Sequence, residues 1–444
     1  MSQDPPHTDG GHDAYAVLRF RDFRFLVSSN FLSSLAQAMI SVTVGWELYD
    51  RTGSALALGM VGLVQIVPNV LVSLPAGQYV DRADQQRVAV LATALVSLAA
   101  AGLAFASFTD APYWLIYIFL FFTGIARAFR SPTQGALLAA IIPSSHFSGA
   151  AAWSSSASQT ASVLGPALGG IGVAVAGAPG PVYTASAVML AIATFGLTVL
   201  NPRPIERSRE KLSVDSLLTG LRFLYRTKVL FAGTMLDMVG VLFGGAMALL
   251  PIFAEDVLQV GSTGLGFLRA APAIGAVLTS LAVAHKGPFK KAGPTFLLTV
   301  VGFGAATVLF GFSRSMALSL VALALVGAFD AISMVIRHTM TLTYTPDHMR
   351  GRVGAVNYVF IGMSNEFGDF FSGVLAAAIG ATAAVVLGGF GTLAVVPIAA
   401  LIWPEIRRLG EIRPLDDAEP VATVAAEVAE SVAGGPGGSG ATRS

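Results

Sequence analysis

The chain has 444 residues, of which 54% are hydrophobic and only 12% are charged. A water-soluble domain usually carries about 25% charged residues, so this composition excludes an ordinary soluble enzyme and indicates a protein that crosses a membrane many times. The formal net charge of +1 gives no reason to expect a nucleic-acid partner, and the lack of cysteine excludes disulfides, thiolate metal sites and cysteine nucleophiles.

Twelve apolar segments are each long enough to cross a bilayer, which requires about 20 residues per helix. The predicted spans are residues 25–48, 56–79, 88–108, 113–140, 149–176, 180–200, 229–253, 264–284, 293–312, 316–343, 354–378 and 382–403. The polar stretch before the first span lacks the basic region and short apolar core of a signal peptide, so no cleavage is expected. The sequence therefore predicts an all-α membrane protein.

The positions of the basic residues predict the orientation of these spans. Most of the 27 Lys and Arg residues fall in the segments on one side, the side that holds both chain termini. Because basic loops remain in the cytoplasm, both termini are predicted to be cytoplasmic. The predicted segments are a cytoplasmic N-terminal segment 1–24, a six-helix bundle 25–200, a cytoplasmic linker 201–228, a second six-helix bundle 229–403 and a largely disordered cytoplasmic tail 404–444.

The two halves of the chain align with each other. A shift of 203 residues places Gly165 on Gly368 and Gly170 on Gly373, and the same shift aligns the fourth span with the tenth. One shift that serves two pairs of spans indicates a duplication. Parallel repeats of six helices build alternating-access carriers, in which the substrate site lies at the repeat interface near the membrane midplane.

Apart from Glu47, which lies near the outer end of the first span, eight charged residues fall inside the predicted spans. A lone charge at the bilayer centre costs at least about 2.5 kcal/mol, so these residues require partners or water, and their equal numbers suggest pairing. The four acids are Asp237, Asp330, Glu366 and Asp369, and the four arginines are Arg127, Arg130, Arg269 and Arg337. These acids and Arg127, Arg130 and Arg337 are candidates for proton coupling or for charge pairs between the halves.

The duplication predicts specific partners for some of these charges. Arg127 is equivalent to Asp330, so we predict an ion pair of Arg127 or Arg130 with Asp330 across the central cavity. Asp237 and Asp330 are expected to face the central pathway.

Two further assignments remain open. Glu366 and Asp369 are three residues apart on one helix face. Two such carboxylates either carry a proton or pair permanently with arginine to hold their helix against the N-terminal half, and the sequence favours neither alternative. Arg269 either extends to the outer interface or contacts substrate. The candidate cavity residues are Asn30, Gln65, Asn69, Gln159, Arg269 and Asn365.

Several motifs carry a family resemblance. The segment from Gly77 through Asp81 and Arg82 to Arg87 resembles the gating loop of the major facilitator superfamily, although Asp84 and Gln85 replace the Gly and basic residue usual there. The run Gly165-Pro166-Ala-Leu-Gly169-Gly170 is similar to the GPxxGG signature of that superfamily's antiporters. Segments 47–59, 345–353 and 364–366 resemble the drug:proton antiporter branch that includes the enterobactin exporter.

This resemblance implies a fold of twelve transmembrane helices in two pseudo-symmetric six-helix bundles, in the cytoplasmic membrane of a bacterium. It implies a monomeric carrier that exports a siderophore-like or amphipathic drug-like molecule in exchange for protons. No cofactor, catalytic residue or metal site is expected, because the histidines have no metal spacing and no phosphate-binding loop is present. The alternatives are an importer, a lipid flippase, a membrane enzyme or a non-transporting receptor.

Overall fold

The computed structural model describes residues 15–203, 214–286, 289–346 and 349–412, and the regular secondary structure in these ranges is helical. The first six spans are α1 (Arg21–Thr52), α2 (Ala55–Arg82), α3 (Gln85–Phe108), α4 (Trp114–Ile141), α5 (Phe147–Ala176) and α6 (Gly180–Thr198). The remaining helices are α7 (Val214–Arg226), α8 (Lys228–Phe243), α9 (Gly261–Lys286), α10 (Ala292–Phe312), α11 (Met316–Tyr344), α12 (Arg350–Ile379), α13 (Ala381–Ile402) and α14 (Pro404–Arg408).

The helices confirm the predicted all-α membrane fold. Within the described residues, eleven helical segments are long and apolar enough to cross a membrane. The twelfth candidate, α12, is not among the eleven because it carries several charged side chains, but its 30 residues extend about 45 Å at 1.5 Å per residue. Except at the seventh span, the observed helix ends differ from the predicted ends by at most four residues.

The predicted linker 201–228 is more ordered than its polar composition suggested. Its second half forms α7, in which Leu224 is fully buried against the C-terminal helices. Gly220 faces the carbonyl oxygen of Arg352 so closely that an added Cβ atom would lie 2.8 Å from it. Residues 204–213, residues 1–14 of the predicted N-terminal segment and residues 413–444 of the predicted disordered tail lie outside the described residues.

The seventh span is not the continuous helix that was predicted. α8 ends at Phe243, and the chain continues as a 3₁₀ turn (Ala246–Leu249), a short α turn (Leu250–Ile252) and a π turn (Phe253–Val257). The break lies at Gly244 and Gly245, where α12 approaches: a Cβ atom on Gly245 would lie 2.6 Å from the carbonyl oxygen of Gly368. Residues 246–257 are called the broken segment below.

The helices pack as two groups that meet along two seams. α1 to α6 contact each other extensively, as do α8 to α13, and the two groups join where α2 packs on α12 and where α5 packs on α9. Glycines bring both seams close: a Cβ atom on Gly373 would lie 2.6 Å from the Cα of Gly59, and one on Gly170 would lie 2.8 Å from the Cα of Gly266. Small residues allow such close approach of transmembrane helices.

The two ends of the bundle differ in how the halves are joined. We call the end that carries Tyr15, the linker and Ile412 the near end, and the opposite end the far end. At the far end, one apolar core contains residues of both halves, including Leu48 of α1 and Phe253 and Phe310 of the C-terminal half. At the near end, the main apolar cores belong to one half each. The halves are therefore closed together at the far end and separately packed at the near end.

Candidate functional site

An ion pair joins the two halves at the middle of the helices. The Arg127 Nη1 atom on α4 lies 2.8 Å from the Glu366 Oε1 atom on α12, and the side chains are 47% and 15% exposed, respectively. Both residues lie near the midpoints of their helices. The remaining exposure of Arg127 indicates that the pair borders an open space between the halves.

The predicted pairing of Arg127 or Arg130 with Asp330 is wrong. The duplication correctly indicated that Arg127 faces the C-terminal half, but its partner is Glu366. The reason is the α2–α12 seam, in which Gly62 has no side chain and a Cβ atom there would lie 2.6 Å from the Glu366 carbonyl oxygen. This close approach brings the acids of α12 against the N-terminal half, while Asp330 remains on α11.

A second group of contacts surrounds this pair. The Arg269 Nη2 atom on α9 donates a hydrogen bond of 2.9 Å to the Ser41 hydroxyl oxygen on α1, and the guanidinium interacts electrostatically with Asp369 and Glu366. The Asp369 side chain also lies close to the backbone of Ala248 in the broken segment. Arg269 thus reaches across to the other half rather than extending to the outer interface.

We call Arg127, Glu366, Asp369, Arg269 and Ser41 the inter-half cluster. It contains two cations and two anions, and each half contributes to it. Because its charges are balanced and partly reachable by water, the cluster satisfies the requirement that charges within a membrane be paired or hydrated. Loss or gain of one proton would disturb contacts between the halves.

Three other charges form a separate cluster inside the C-terminal half. The Arg337 Nη1 atom on α11 lies 2.7 Å from the Asp237 Oδ2 atom on α8, and both side chains are less than 15% exposed. Asp330, two turns along α11 from Arg337, lines a small cleft with Asp237, Thr299 of α10 and Ser333. The expectation that Asp237 and Asp330 face the central pathway is therefore wrong, because this cleft lies between α8, α10 and α11.

Arg130 differs from the other three arginines inside the spans. Its side chain forms no ion pair with the described residues. Its backbone carbonyl oxygen accepts a hydrogen bond from the Thr133 hydroxyl. Arg127, Arg130 and Gln134 are spaced at i, i+3 and i+7, so they share one face of α4. Arg130 is partly exposed on this face and Gln134 is exposed.

The glycines of the antiporter-like motif serve close helix packing. Cβ atoms on Gly165 and Gly169 would lie 3.1 Å from the carbonyl oxygen of Leu35 and 3.0 Å from that of Met39 on α1, and Gly170 contacts α9. Pro166 is buried within α5, and its carbonyl oxygen faces Gly266 of α9. The motif therefore places α5 between α1 and the opposite half.

The predicted gating loop is mostly helical. Gly77 is buried in α2, and Asp81 and Arg82 belong to the last turn of that helix, although their side chains are outside the described part. In the short turn that follows, the Asp84 side chain accepts from the backbone N–H groups of Gln86 and Arg87. Arg87 pairs with Asp84 at 3.3 Å, so the unusual Asp84 caps α3.

The other cavity candidates are placed less specifically. Asn30, Gln65, Asn69 and Gln159 are partly exposed within the helices. Asn365 is exposed and its Nδ2 atom donates to the Ile361 carbonyl oxygen one turn earlier. Nothing in these contacts selects one of them as a ligand.

Sequence reasoning missed two contacts between the halves. Ser41 gave no signal because a serine in an apolar span is common. The Tyr49 hydroxyl donates to the Asp256 carboxylate in the broken segment, and this contact depends on the break in the seventh span, which hydropathy alone did not indicate. The adjacent glycines Gly244 and Gly245 are the one sequence feature that could have indicated it.

Comparison with known proteins gives consistent matches over nearly the whole chain. A family model described as transmembrane secretion effector, of the major facilitator superfamily, matches residues 12–430. The chain is 26% identical over 399 residues to the enterobactin exporter of Shigella boydii serotype 18, covering 88% of this chain and 94% of that protein. The enterobactin exporter of Escherichia coli O157:H7 matches with the same identity and coverage.

Solved structures show the same fold at low sequence identity. A POT family transporter in complex with 5-aminolevulinic acid has a TM-score of 0.69 at 13% identity, covering 87% of this chain and 97% of its own. A bacterial homologue of the human lysosomal transporter Spinster, in an inward-facing and unoccupied conformation, has a TM-score of 0.65 at 13% identity, covering 90% and 98%.

Proposed function

Because the chain belongs to the transmembrane secretion effector family of the major facilitator superfamily, we propose that it exports a small organic molecule across the bacterial inner membrane in exchange for protons. The transported molecule is siderophore-like or amphipathic and drug-like, as the named function of the enterobactin exporters suggests. The near end faces the cytoplasm, as the basic loops predict. The carrier works as a monomer.

The observation that carries this proposal is the charged pair Arg127–Glu366 between the halves, at the depth where carriers built from repeats hold their substrates. The shared far-end core and the separate near-end cores support an alternating-access cycle in which this structure is the state that receives substrate from the cytoplasm. Opening of the far end requires the inter-half cluster to separate.

Protons act on this cycle through Glu366. While Glu366 is ionised, its pair with Arg127 holds the empty carrier closed at the far end. A proton on Glu366 removes the negative charge and with it most of the attraction to Arg127. A carrier that is neither protonated nor loaded therefore stays in one state, which prevents the proton gradient from dissipating without transport.

The test is accumulation in inverted membrane vesicles with an imposed pH gradient, using enterobactin, other siderophores and amphipathic drugs as candidate substrates. We expect accumulation of at least one candidate that stops when an uncoupler collapses the gradient. Glu366→Gln should lower gradient-driven accumulation at least tenfold, and Glu255→Gln, at an exposed far-end position, should not. Accumulation that is independent of the pH gradient for every candidate would contradict proton exchange.

A further inference from the structure

We infer that the exported molecule carries a negatively charged oxygen group, and that Arg130 binds this group in the cavity between the halves. This inference rests on the proposed export function and names the class of substrate. The site lies on the face of α4 that Arg127, Arg130 and Gln134 share. It consists of one guanidinium, Arg130, that has no counter-charge among the described residues, and a second guanidinium, Arg127, whose partner is exchangeable.

The first argument is the missing counter-charge. Arg130 is only partly exposed, and no carboxylate among the described residues forms an ion pair with it. The described acids of the N-terminal half lie near helix ends or in turns: Asp22, Glu47, Asp50, Asp84 and Asp110. Glu47, Asp84 and Asp110 already pair with Arg51 or Arg87. At the depth of Arg127 and Arg130, this half therefore holds no described acid.

The second argument is the chemistry of the arginine side chain. A cation at membrane depth without a partner is unfavourable, and an organic anion that enters from the near end would reduce this cost. The guanidinium presents several donors in a plane that match carboxylate, phenolate or phosphate oxygens. Within the inter-half cluster, an amphipathic cation meets no unbalanced acid, because Glu366 and Asp369 are already balanced by Arg127 and Arg269.

The third argument is the distance between the two arginines. Arg127 and Arg130 are three residues apart, which is about 4.5 Å along the helix axis. An anion held by Arg130 therefore competes with Glu366 for Arg127. Substrate and proton then have the same effect on the Arg127–Glu366 pair: each separates it, and either one permits the far end to open.

The experiment measures binding of two matched aromatic probes, salicylate and its neutral analogue salicylamide, to the purified full chain in lipid nanodiscs by equilibrium dialysis. We expect salicylate to bind at least tenfold more tightly than salicylamide. Arg130→Gln should abolish this preference and Arg130→Lys should retain part of it, because lysine keeps the charge but not the planar donors. The control is Arg314→Gln, an exposed far-end arginine, which should leave the preference unchanged.

Two results would overturn the inference: no preference for the anion in the unaltered chain, or a preference that survives Arg130→Gln. Thermal melting of each variant verifies folding, and Arg130→Lys remains informative if Arg130→Gln does not fold. Because binding is measured without a gradient, failure of the anion site is distinguishable from failure of proton-driven export. A selective anion site together with gradient-independent transport would support the site and contradict the exchange.

A groove on the outer surface of the N-terminal half carries a second, independent inference: we propose that it binds an anionic phospholipid. The groove lies between α1 and α6 at the near end, and its lining includes Arg21, Arg24, Phe25, Ile192 and Phe195. Both arginines are exposed and neither has a carboxylate partner among the described residues; Arg21 stacks over the Phe25 ring at 5.5 Å.

The composition of the groove matches the two parts of a lipid. The side chains of Ile192 and Phe195 are more than half exposed, which fits contact with acyl chains. Arg21 and Arg24 lie in the first turn of α1, at the near end of the groove. Basic pockets between transmembrane helices on the cytoplasmic side bind anionic headgroups. The charges at one end and the apolar walls beyond them therefore favour a phospholipid over a free anion.

Thermal melting in nanodiscs tests this proposal. Replacing part of the phosphatidylcholine with phosphatidylglycerol should raise the melting temperature, and the double variant Arg21→Gln, Arg24→Gln should lose the rise. The control Arg407→Gln, Arg408→Gln removes two exposed near-end arginines and should keep it. A rise that persists in the first variant, or an equal rise with inorganic phosphate alone, would refute a lipid site.

Discussion

Removal of the Arg127 charge should shift the carrier toward a state that is open at the far end. In Arg127→Gln, Glu366 loses its partner on the opposite half, and the contact that holds the two helix midpoints together is lost. The neighbouring Arg269 stays hydrogen-bonded to Ser41, so the inter-half cluster weakens but does not disappear. We therefore expect a change in the conformational equilibrium rather than unfolding.

The magnitude follows from the exposure of the pair. Two unit charges 4 Å apart attract by about 4 kcal/mol at an effective dielectric constant of 20, whereas fully exposed pairs contribute about 0.2–1 kcal/mol. The Arg127 side chain is 47% exposed and the Glu366 side chain 15%, so the attraction within this pair lies between these limits, at about 2 kcal/mol. Loss of this attraction would change the equilibrium between the closed and open far end by about 30-fold. The charge reversal Arg127→Glu with Glu366→Arg should restore most of this change.

Spin-label distances measure the equilibrium directly, and the cysteine-free chain allows labels at chosen sites only. Labels at Thr109 and Ser315 report the far end, and labels at Ser145 and Arg408 report the near end; all four positions are exposed. Arg127→Gln should lengthen the far-end distances and shorten the near-end distances. Arg203→Gln, at an exposed near-end position outside the predicted gating loop, should change neither. Unchanged distances in Arg127→Gln would refute the assignment of this pair as a contact that sets the state.

Other substitutions test separate parts of the structure. Gly373→Ala should open the far end in the same distance measurement, because its Cβ atom would lie 2.6 Å from a Cα atom across the seam, whereas Gly362→Ala on the same helix meets nothing within 4 Å and should have no effect. Asp237→Asn should lower the melting temperature, since breaking a buried ion pair costs about 3 kcal/mol. Asp330 has no ion pair among the described residues, so Asp330→Asn should leave the melting temperature unchanged. An equal decrease in melting temperature for both variants would contradict this difference. Tyr49→Phe removes a hydrogen bond to a carboxylate at the far end. We expect the conformational equilibrium to shift by about 1 kcal/mol toward far-end opening, which would be measured as faster labelling of cysteines introduced at the far end. Labelling at the rate of the unaltered chain would count against this expectation.

The helices were predictable because apolar length is a direct physical requirement of the bilayer. α1 and α12 differ from their predicted spans only where a helix continues into polar residues beyond the bilayer core. The break in the seventh span was not predictable from hydropathy, because residues 246–257 remain apolar and the break depends on close packing at Gly245. The helix α7 was missed because its apolar residues are interrupted by arginines at helical spacing.

The candidate charges were found from the sequence, but their partners were not. A charge inside a span is visible without a structure, so Arg127, Glu366, Asp237 and Arg337 could all be selected. Pairing depends on helix rotation and on how closely α2 approaches α12, which a shift between the halves does not specify. The duplication therefore indicated correctly that Arg127 faces the other half but gave Asp330 in place of Glu366.

The mixed apolar core at the far end has a thermal consequence. Leu48 and Phe253, which belong to different halves, are both fully buried there, so opening of the far end must hydrate hydrocarbon surface. Exposure of apolar surface to water raises the heat capacity, and the free-energy cost of this exposure falls as the temperature drops. Cooling should therefore favour the conformer that is open at the far end, and a van't Hoff plot of the two populations should be curved.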